Sequence, residues 1–485
     1  MIRGLIAAVV LLVACAHAAA GEMDMPGDMT MIRRPAVLTI QPGTPADQTA
    51  AINTAITAVV NHGGGTLMLP CGTIRVGGTG TIGIVMASHV HLQGCGEYAT
   101  TLQITSSSCP TSSTYPGTIT ATASGITDFT ISDLQVDFAS CYYGSTWNTN
   151  FAPIWIQGAS HFRVNRVSII NAGTWGILGQ LNAYGDVSYN DISAPAQTSF
   201  PNTAIAMLFN SIAPQVSINV EHNTITNMAG INADVWDSSI SFNHIYNFEG
   251  GAGISVLSLT ENHDVIEGNV IEGEGRIINS FNIADSCIEV WAAFTRISDN
   301  IVQSCPGDAI SSGNNYNTYS NNTIFSAGSA GQVGLTASFS GTTMTVTADA
   351  GGFVNDRIFV NRTYLVASGV PAGTLVTSQT SGTTGETGTY TISNNVGTIG
   401  SESVTGYAFA GLQLTNGGSF GIEGYNTFTG NIVIGNSNTA CGLHEDGGTN
   451  GNNNFGPGVG NASATNQANS YFAFAIAATC PTSPP

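Results

Sequence analysis

One phrase recurs between Ser217 and Ser326 and decides the fold: an apolar residue, two variable residues, Asn, one variable residue, then Ile or Val. It reads Val220-Glu-His-Asn223-Thr-Ile225, Ile240-Ser-Phe-Asn243-His-Ile245, Ile266-Glu-Gly-Asn269-Val-Ile271, Ile297-Ser-Asp-Asn300-Ile-Val302 and Tyr319-Ser-Asn-Asn322-Thr-Ile324. Working outward, Phe162-Arg-Val-Asn165-Arg-Val167, Val187-Ser-Tyr-Asn190-Asp-Ile192 and Phe428-Thr-Gly-Asn431-Ile-Val433 bring the series to eight. Successive asparagines stand 20 to 33 residues apart, before one jump of 109 from Asn322 to Asn431. That is the period of a solenoid whose coils carry loops of variable length.

A second phrase lies between the Asn phrases: Gly253-Ile-Ser-Val256, Cys287-Ile-Glu-Val290, Ala309-Ile-Ser-Ser312 and Gly411-Leu-Gln-Leu414. Both phrases alternate with period two, which sends Ile254 and Val256 to one side of a strand and Ser255 and Leu257 to the other. One coil is too thin to bury its own apolar row. Stacked coils share a core and pair each strand with the coils above and below. The chain therefore reads as all-β, a right-handed parallel β-helix. The recurring Asn is expected to take the left-handed backbone conformation at a tight corner and to hydrogen-bond its amide along the stack. On these phrases the chain resembles the pectin-lyase-like superfamily over about residues 37 to 455.

Residues 1–20 carry Arg3, an apolar run from Leu5 to Val13 and Ala18-Ala19-Ala20, the pattern of a secretory signal peptide. The run is too short to span a bilayer. Leu12-Val-Ala-Cys15 also allows a lipid anchor through Cys15. Residues 21–36 form a Met-rich leader, whose thioethers are soft enough for Cu(I) but which reads more simply as an unstructured segment. The first part of the β-helix is assigned to 37–328. Its N-terminal cap is a helix predicted from Asp47 to Asn61 with Ala51, Ile52, Ala55, Ile56, Val59 and Val60 on its apolar face, stopped by His62-Gly-Gly-Gly65. This helix and the following Thr66-Leu-Met-Leu-Pro70 resemble the opening of the pectate lyase superfamily domain. Residues 329–409, rich in Gly, Thr and Ser, read as an inserted small β module, and 410–485 as the last coils and a C-terminal cap.

Thirty acidic residues face ten arginines and no lysine, a formal charge of −20. Nucleic acid and anionic membrane surfaces need a basic patch, so both are excluded as partners. A lyase that uses lysine as its base is excluded too. Besides Cys15 there are eight cysteines, an even number that in an exported chain points to disulfides among 105 connectivities; Cys287 and Cys305, close in the coil order, are one candidate pair. No spacing suggests zinc or another resident metal. The expected location is secreted, periplasmic or at the cell surface.

Aligning the coils on the inward Ile gives an outward row of Asn232, Ser255, Glu289, Ser311 and Gln413, with Asp285 and Asp308 just ahead of consecutive strands. Adjacent coils lie about 4.8 Å apart, so Asp285, Glu289 and Asp308 are the candidate catalytic residues. Two carboxyls about 5 to 9 Å apart can split the roles of acid and of base or nucleophile at a glycosidic bond. Asp234, Trp236, Trp291 and Arg296 are the candidate substrate-binding residues. Asp285-Ser-Cys-Ile-Glu-Val290 and Pro306-Gly-Asp-Ala-Ile310 resemble phrases of polygalacturonase-type hydrolases, with Ser286 where that family has a second Asp and Asp308 where it has His. The chain is thus expected to be a glycoside hydrolase acting on a polysaccharide. Alternatives are a β-eliminating polysaccharide lyase, drawing on Arg163, Arg166, Arg276 and Arg296 or on His444 and Asp446, and a non-catalytic adhesin or glycan-binding protein. No cofactor is expected, with Ca²⁺ admitted for a uronate substrate, and a homotrimer is a further expectation.

Overall fold

The computed structural model describes residues 42–43, 46–77, 83–104, 117–138, 152–172, 175–194, 203–208, 215–248, 252–256, 263–273, 286–305, 307–325, 332–349, 358, 363–371, 374–383, 385–407, 410–414, 425–434 and 441–445. The signal peptide, Met-rich leader, Cys15, Arg276, Asp285, Asp446 and C-terminal cap lie outside them. Coil after coil contributes three strands. One joins an 11-stranded sheet, and the other two join a 21-stranded sheet as two columns that meet at the Asn corner. Three successive coils are Ala229–Ala233, Ser239–Ser241 and His244–Tyr246; then Ile254–Val256, Val265–Glu267 and Val270–Glu272; then Ile288–Val290, Arg296–Ser298 and Ile301–Gln303.

Pairing between these coils is parallel and holds Ile231, Ile254, Ile288, Ile310 and Leu412 in one file. Two further files, Ile240–Ile266–Ile297 and Ile245–Ile271–Val302, line the same interior. The side chains in these last two files are at most 1% exposed. Burying one such aliphatic side chain is worth about 1.5–3 kcal/mol relative to leaving it in water. The β-helix is thus a single apolar column.

The asparagines form the ladder expected of them. Asn190 Nδ2 donates to Asn223 Oδ1 at 2.9 Å, and the chain of amides continues through Asn243, Asn269, Asn300 and Asn322 to Asn431. The last bond, 2.8 Å from Asn322 to Asn431, crosses the long sequence jump, so the helix resumes in register after it. Two expectations are corrected. The left-handed residue is not the Asn but the one before it: Tyr189, His222, Phe242, Gly268, Asp299, Asn321 and Gly430 all have φ between 55° and 65°. The Asn is the buried residue that ties the corner together. Asn165 is not a rung, because in this coil the left-handed corner residue is Arg166, with φ 51°, so that Asn165 lies before the corner and pairs with Ser188. The rung there is Val167, whose N–H donates to Asn190 Oδ1 at 3.0 Å, and Leu134 lies beside it in the coil before.

In these early coils the corner is held from outside. Arg166 clasps Asp133 with two bonds, Nε to Oδ1 at 2.6 Å and Nη2 to Oδ2 at 3.0 Å. The guanidinium hydrogen bonds, aided by Ser132 and Gln93, hold the Asp133 carboxyl below its ordinary value. A lowered carboxyl contributes stability that is complete above its unfolded value of about 3.9 and is lost as pH falls through the folded value. Asp133→Asn should therefore flatten the acid limb of a denaturation profile below about pH 4 while changing the neutral-pH midpoint little, since Arg166 is half exposed.

A second corner, where the chain enters the 21-stranded sheet from the 11-stranded one, follows the same rule with different residues. Ile218 N–H donates to Ser238 Oγ at 2.9 Å, Ser238 N–H to Asp264 Oδ1 at 3.0 Å, Thr295 N–H to Asn317 Oδ1 and Asn317 N–H to Asn426 Oδ1, both at 2.8 Å. The residue before each rung is again left-handed and points outward. These residues form a ridge: His89, Asp128, His161, Tyr184, Ser217, Asp237, His263, Phe294, Tyr316 and Tyr425.

The helix Thr49–Asn61 caps the stack. Asp47 starts it by accepting the Thr49 N–H at 2.9 Å. Ile52, Ala55, Ile56 and Val59 are buried, whereas Ala51 and Val60 face solvent. Asn53 replaces a missing strand, donating to Gly83 O at 3.0 Å and accepting from Val85 N–H at 2.9 Å, which blunts the edge of the 11-stranded sheet. Within the inserted segment, six antiparallel strands from Gln332–Ser340 to Thr398–Tyr407 close into a barrel around Leu335, Phe339, Met344, Val376, Tyr390 and Val404. Disulfides join Cys71 to Cys95 and Cys287 to Cys305. They fit an extracellular or periplasmic compartment, and among the described residues no helix is long and apolar enough to cross a membrane.

Candidate functional site

The outward row of the 11-stranded sheet runs Thr120, Trp155, Leu178, Ala206, Asn232, Ser255, Glu289 and Ser311, and the backbone register continues to Gln413 and His444. Leu178, Ala206, Ser255 and Ser311 are at most 6% exposed, so the row lies at the bottom of a covered face, and Glu289 is half-buried within it. Both Glu289 oxygens are engaged. Trp291 Nε1 donates to Oε1 at 2.7 Å and Ser255 Oγ lies 3.4 Å from Oε2. The Trp291 ring lies over Gly313, where an added Cβ would overlap it. Two other polar atoms of the row, Asn232 Oδ1 two coils from Glu289 and Trp155 Nε1 five coils from it, are buried without a hydrogen-bond partner.

Gly313→Ala should push the indole aside and strip Glu289 of its N–H donor. One charge-assisted hydrogen bond is worth about 1.5–3 kcal/mol, so a reaction that depends on Glu289 should slow on the order of tenfold or more. A shift in tryptophan emission would report the ring movement.

The structure brings some predicted residues together and separates others. Glu289 and Trp291 are in contact. Asp308, at the head of the next strand, is 4% exposed, and its carbonyl accepts the Cys287 N–H at 3.1 Å. Asp234 stands two coils earlier, just past Ala233, with its N–H on Met207 O. Trp236 and Arg296 lie on the other sheet: Trp236 pairs with Val216, and Arg296 donates to Glu267 at 2.6 Å and to Ser298 at 2.8 Å. Arg296 lies past the second corner and Trp236 just before it, and both pair into the 21-stranded sheet.

An open groove of about 600 Å³ lies elsewhere, along the ridge and the neighbouring row of the 21-stranded sheet. His89, Asp128, His161, Tyr184, Ser217 and Asp237 contribute from the ridge, and His91, Thr130, Arg163, Asp186 and Asn219 from the row. Arg163 Nε meets Asp186 Oδ2 at 2.8 Å, and the His161 and Tyr184 rings stack at 4.9 Å. Despite these imidazoles and carboxylates, among the described residues no group of three is placed to hold a metal ion.

No protein-family model and no curated protein sequence matches the chain. Among solved structures, DFA-IIIase from Arthrobacter chlorophenolicus A6 without its lid is similar at 11% identity and a TM-score of 0.52, covering 86% of this chain and 92% of that one. The A-module of mannuronan C-5 epimerase AlgE4 from Azotobacter vinelandii covers the same shares at 13% identity and a TM-score of 0.48. The chain has the right-handed parallel β-helix fold. In this β-helix the covered face at Glu289 was readable from the inward Ile file, but the groove was not. Its signal was present as His-Val-His, Asp-Phe-Thr, His-Phe-Arg and Tyr-Gly-Asp, polar residues flanking one inward position at 89–91, 128–130, 161–163 and 184–186. The inward residue changes from Val to Phe to Gly, which hides the repeat.

Proposed function

We propose that the protein is an exported polysaccharide-acting enzyme, a glycoside hydrolase whose reacting bond lies against Glu289. One observation carries the reading: a carboxylate on the covered face, fixed by an indole N–H and a serine hydroxyl beside an aromatic ring, with the unpartnered Asn232 Oδ1 two coils earlier on the same row. A fixed carboxylate can take a proton from water, give one to a leaving oxygen, or attack an anomeric carbon. Asp308 or Asp285 is assigned the complementary carboxyl, and Trp291 the sugar platform. Elimination is the weaker alternative, because the described part of the outward row carries no arginine to neutralise a uronate, so that such a substrate would call for Ca²⁺.

The fold does not choose between these chemistries. A non-catalytic glycan-binding protein is the second reading, favoured by the burial of Asp308, which leaves Glu289 as the carboxylate displayed on the row among the described residues. Glu289→Gln separates the two. It keeps the size of the side chain and an oxygen for Trp291, so lost turnover with retained binding supports the enzyme, and unchanged turnover sinks the assignment.

A further inference from the structure

We propose that the groove on the 21-stranded sheet is a second, separate carbohydrate site, which binds a neutral sugar chain by seating one ring on Tyr184 above Ser217. Where consecutive coils of the ridge carry rings, each ring covers the next: Phe294, Tyr316 and Tyr425 stack at 4.8 and 5.1 Å. Tyr184 breaks this pattern. His161 covers one face, and the other looks toward Ser217, whose side chain is too small to fill the place of a ring. The next ring along the ridge is His263, three coils on, so the gap is about 14 Å at the usual strand spacing. Tyr184 is 56% exposed. A pyranose placed on it would continue the stack at the spacing the rings already use.

The row beside the gap is built to receive hydroxyls. Arg163 fixes Asp186 through Oδ2, while Asp186 Oδ1 is buried and has no hydrogen-bond partner. About a quarter of the Asp186 side chain is exposed along the groove, where a carboxylate held by Arg163 can accept a sugar hydroxyl. Asn219 presents an exposed amide one coil further on. Charge sets the class of ligand. Asp128, Asp186 and Asp237 outnumber Arg163, which is already paired, on a chain of net charge −20. Phosphates, nucleic acids and uronates are repelled, and neutral polyhydroxylated chains are not. The groove extends over five coil steps, from His89 to Asp237, about 24 Å, which suits an oligosaccharide rather than a single sugar.

The test applies the full-length protein to an array of neutral and uronate-containing glycans, with Tyr184→Ala, Ser217→Tyr and Tyr316→Ala variants alongside. Binding to neutral glycans is expected. It should weaken about tenfold when the Tyr184 platform is removed, the upper range for an aromatic contact, and as much when Ser217→Tyr fills the gap, whereas Tyr316→Ala, which removes an exposed ring of the same ridge outside the groove, should leave it unchanged. Urea midpoints matching the wild type would show that the variants fold. Absence of neutral-glycan binding, preference for uronates, indifference to both groove variants, or equal loss in Tyr316→Ala would each overturn the proposal. Because the readout is binding, failure of the hydrolase reading leaves the result intact.

Discussion

Asn269→Ala should lower the stability of the β-helix by about 3 kcal/mol or more, the largest single effect expected of any substitution of comparable size on the corners. Asn269 Oδ1 accepts both the Asn243 N–H at 2.9 Å and Asn243 Nδ2 at 3.0 Å, while its own Nδ2 donates to Ile240 O at 2.9 Å and to Asn300 Oδ1 at 3.0 Å. Asn269 itself is fully buried. Alanine would strand at least a backbone N–H and a backbone C=O out of reach of water, each costing about 1–3 kcal/mol. Leucine should do no better, although Leu134 and Val167 occupy the same file in the early coils. Those two adjoin each other, whereas Asn269 sits between amides that need it. Asn321→Gly, on the exposed left-handed side of the same corner, should cost less than about 1 kcal/mol, since glycine adopts that conformation freely. Urea midpoints of the two variants provide the check, and an Asn269→Ala midpoint matching that of Asn321→Gly would show that the ladder does not hold the coils together.

The second large effect is on chemistry. Glu289→Gln should reduce polysaccharide turnover by about 10²–10⁴, the range for removing a general acid or base, with the thermal midpoint unchanged within about 2 °C because the amide oxygen still accepts the Trp291 N–H. A parallel fall in stability would instead mark Glu289 as a structural acceptor for Trp291. Steady-state kinetics on the best substrate, together with a melting curve, separate the outcomes.

How far the sequence could be read depended on how uniformly a task was assigned to one residue type. The Asn corner was legible because one side chain, a buried amide that both donates and accepts, serves rung after rung. The second corner was not, because a serine hydroxyl, an aspartate and two asparagines all supply the single acceptor it needs. The left-handed residues escaped for another reason. Propensity argues against Tyr189, His222 and Phe242 there, yet their rings stack at 4.7 and 5.2 Å and help offset the backbone cost of about 1–2 kcal/mol each. Asn165 matched the phrase locally, but in this coil the left-handed residue is Arg166 and the rung Val167, two residues on. For the candidate site, the Ile file fixed the outward row from Asn232 to Gln413, while Trp236 and Arg296 were assigned by nearness in sequence, which a short corner undoes.

The most direct test of the central claim is incubation of the purified protein with a panel of neutral and uronate-containing polysaccharides, following reducing ends and ultraviolet absorbance together. Hydrolysis at Glu289 predicts new reducing ends without new absorbance, and their disappearance in Glu289→Gln. Reducing ends that rise with absorbance would mean β-elimination, and silence across the panel with glycan binding intact would mean that this β-helix holds sugar chains without cutting them.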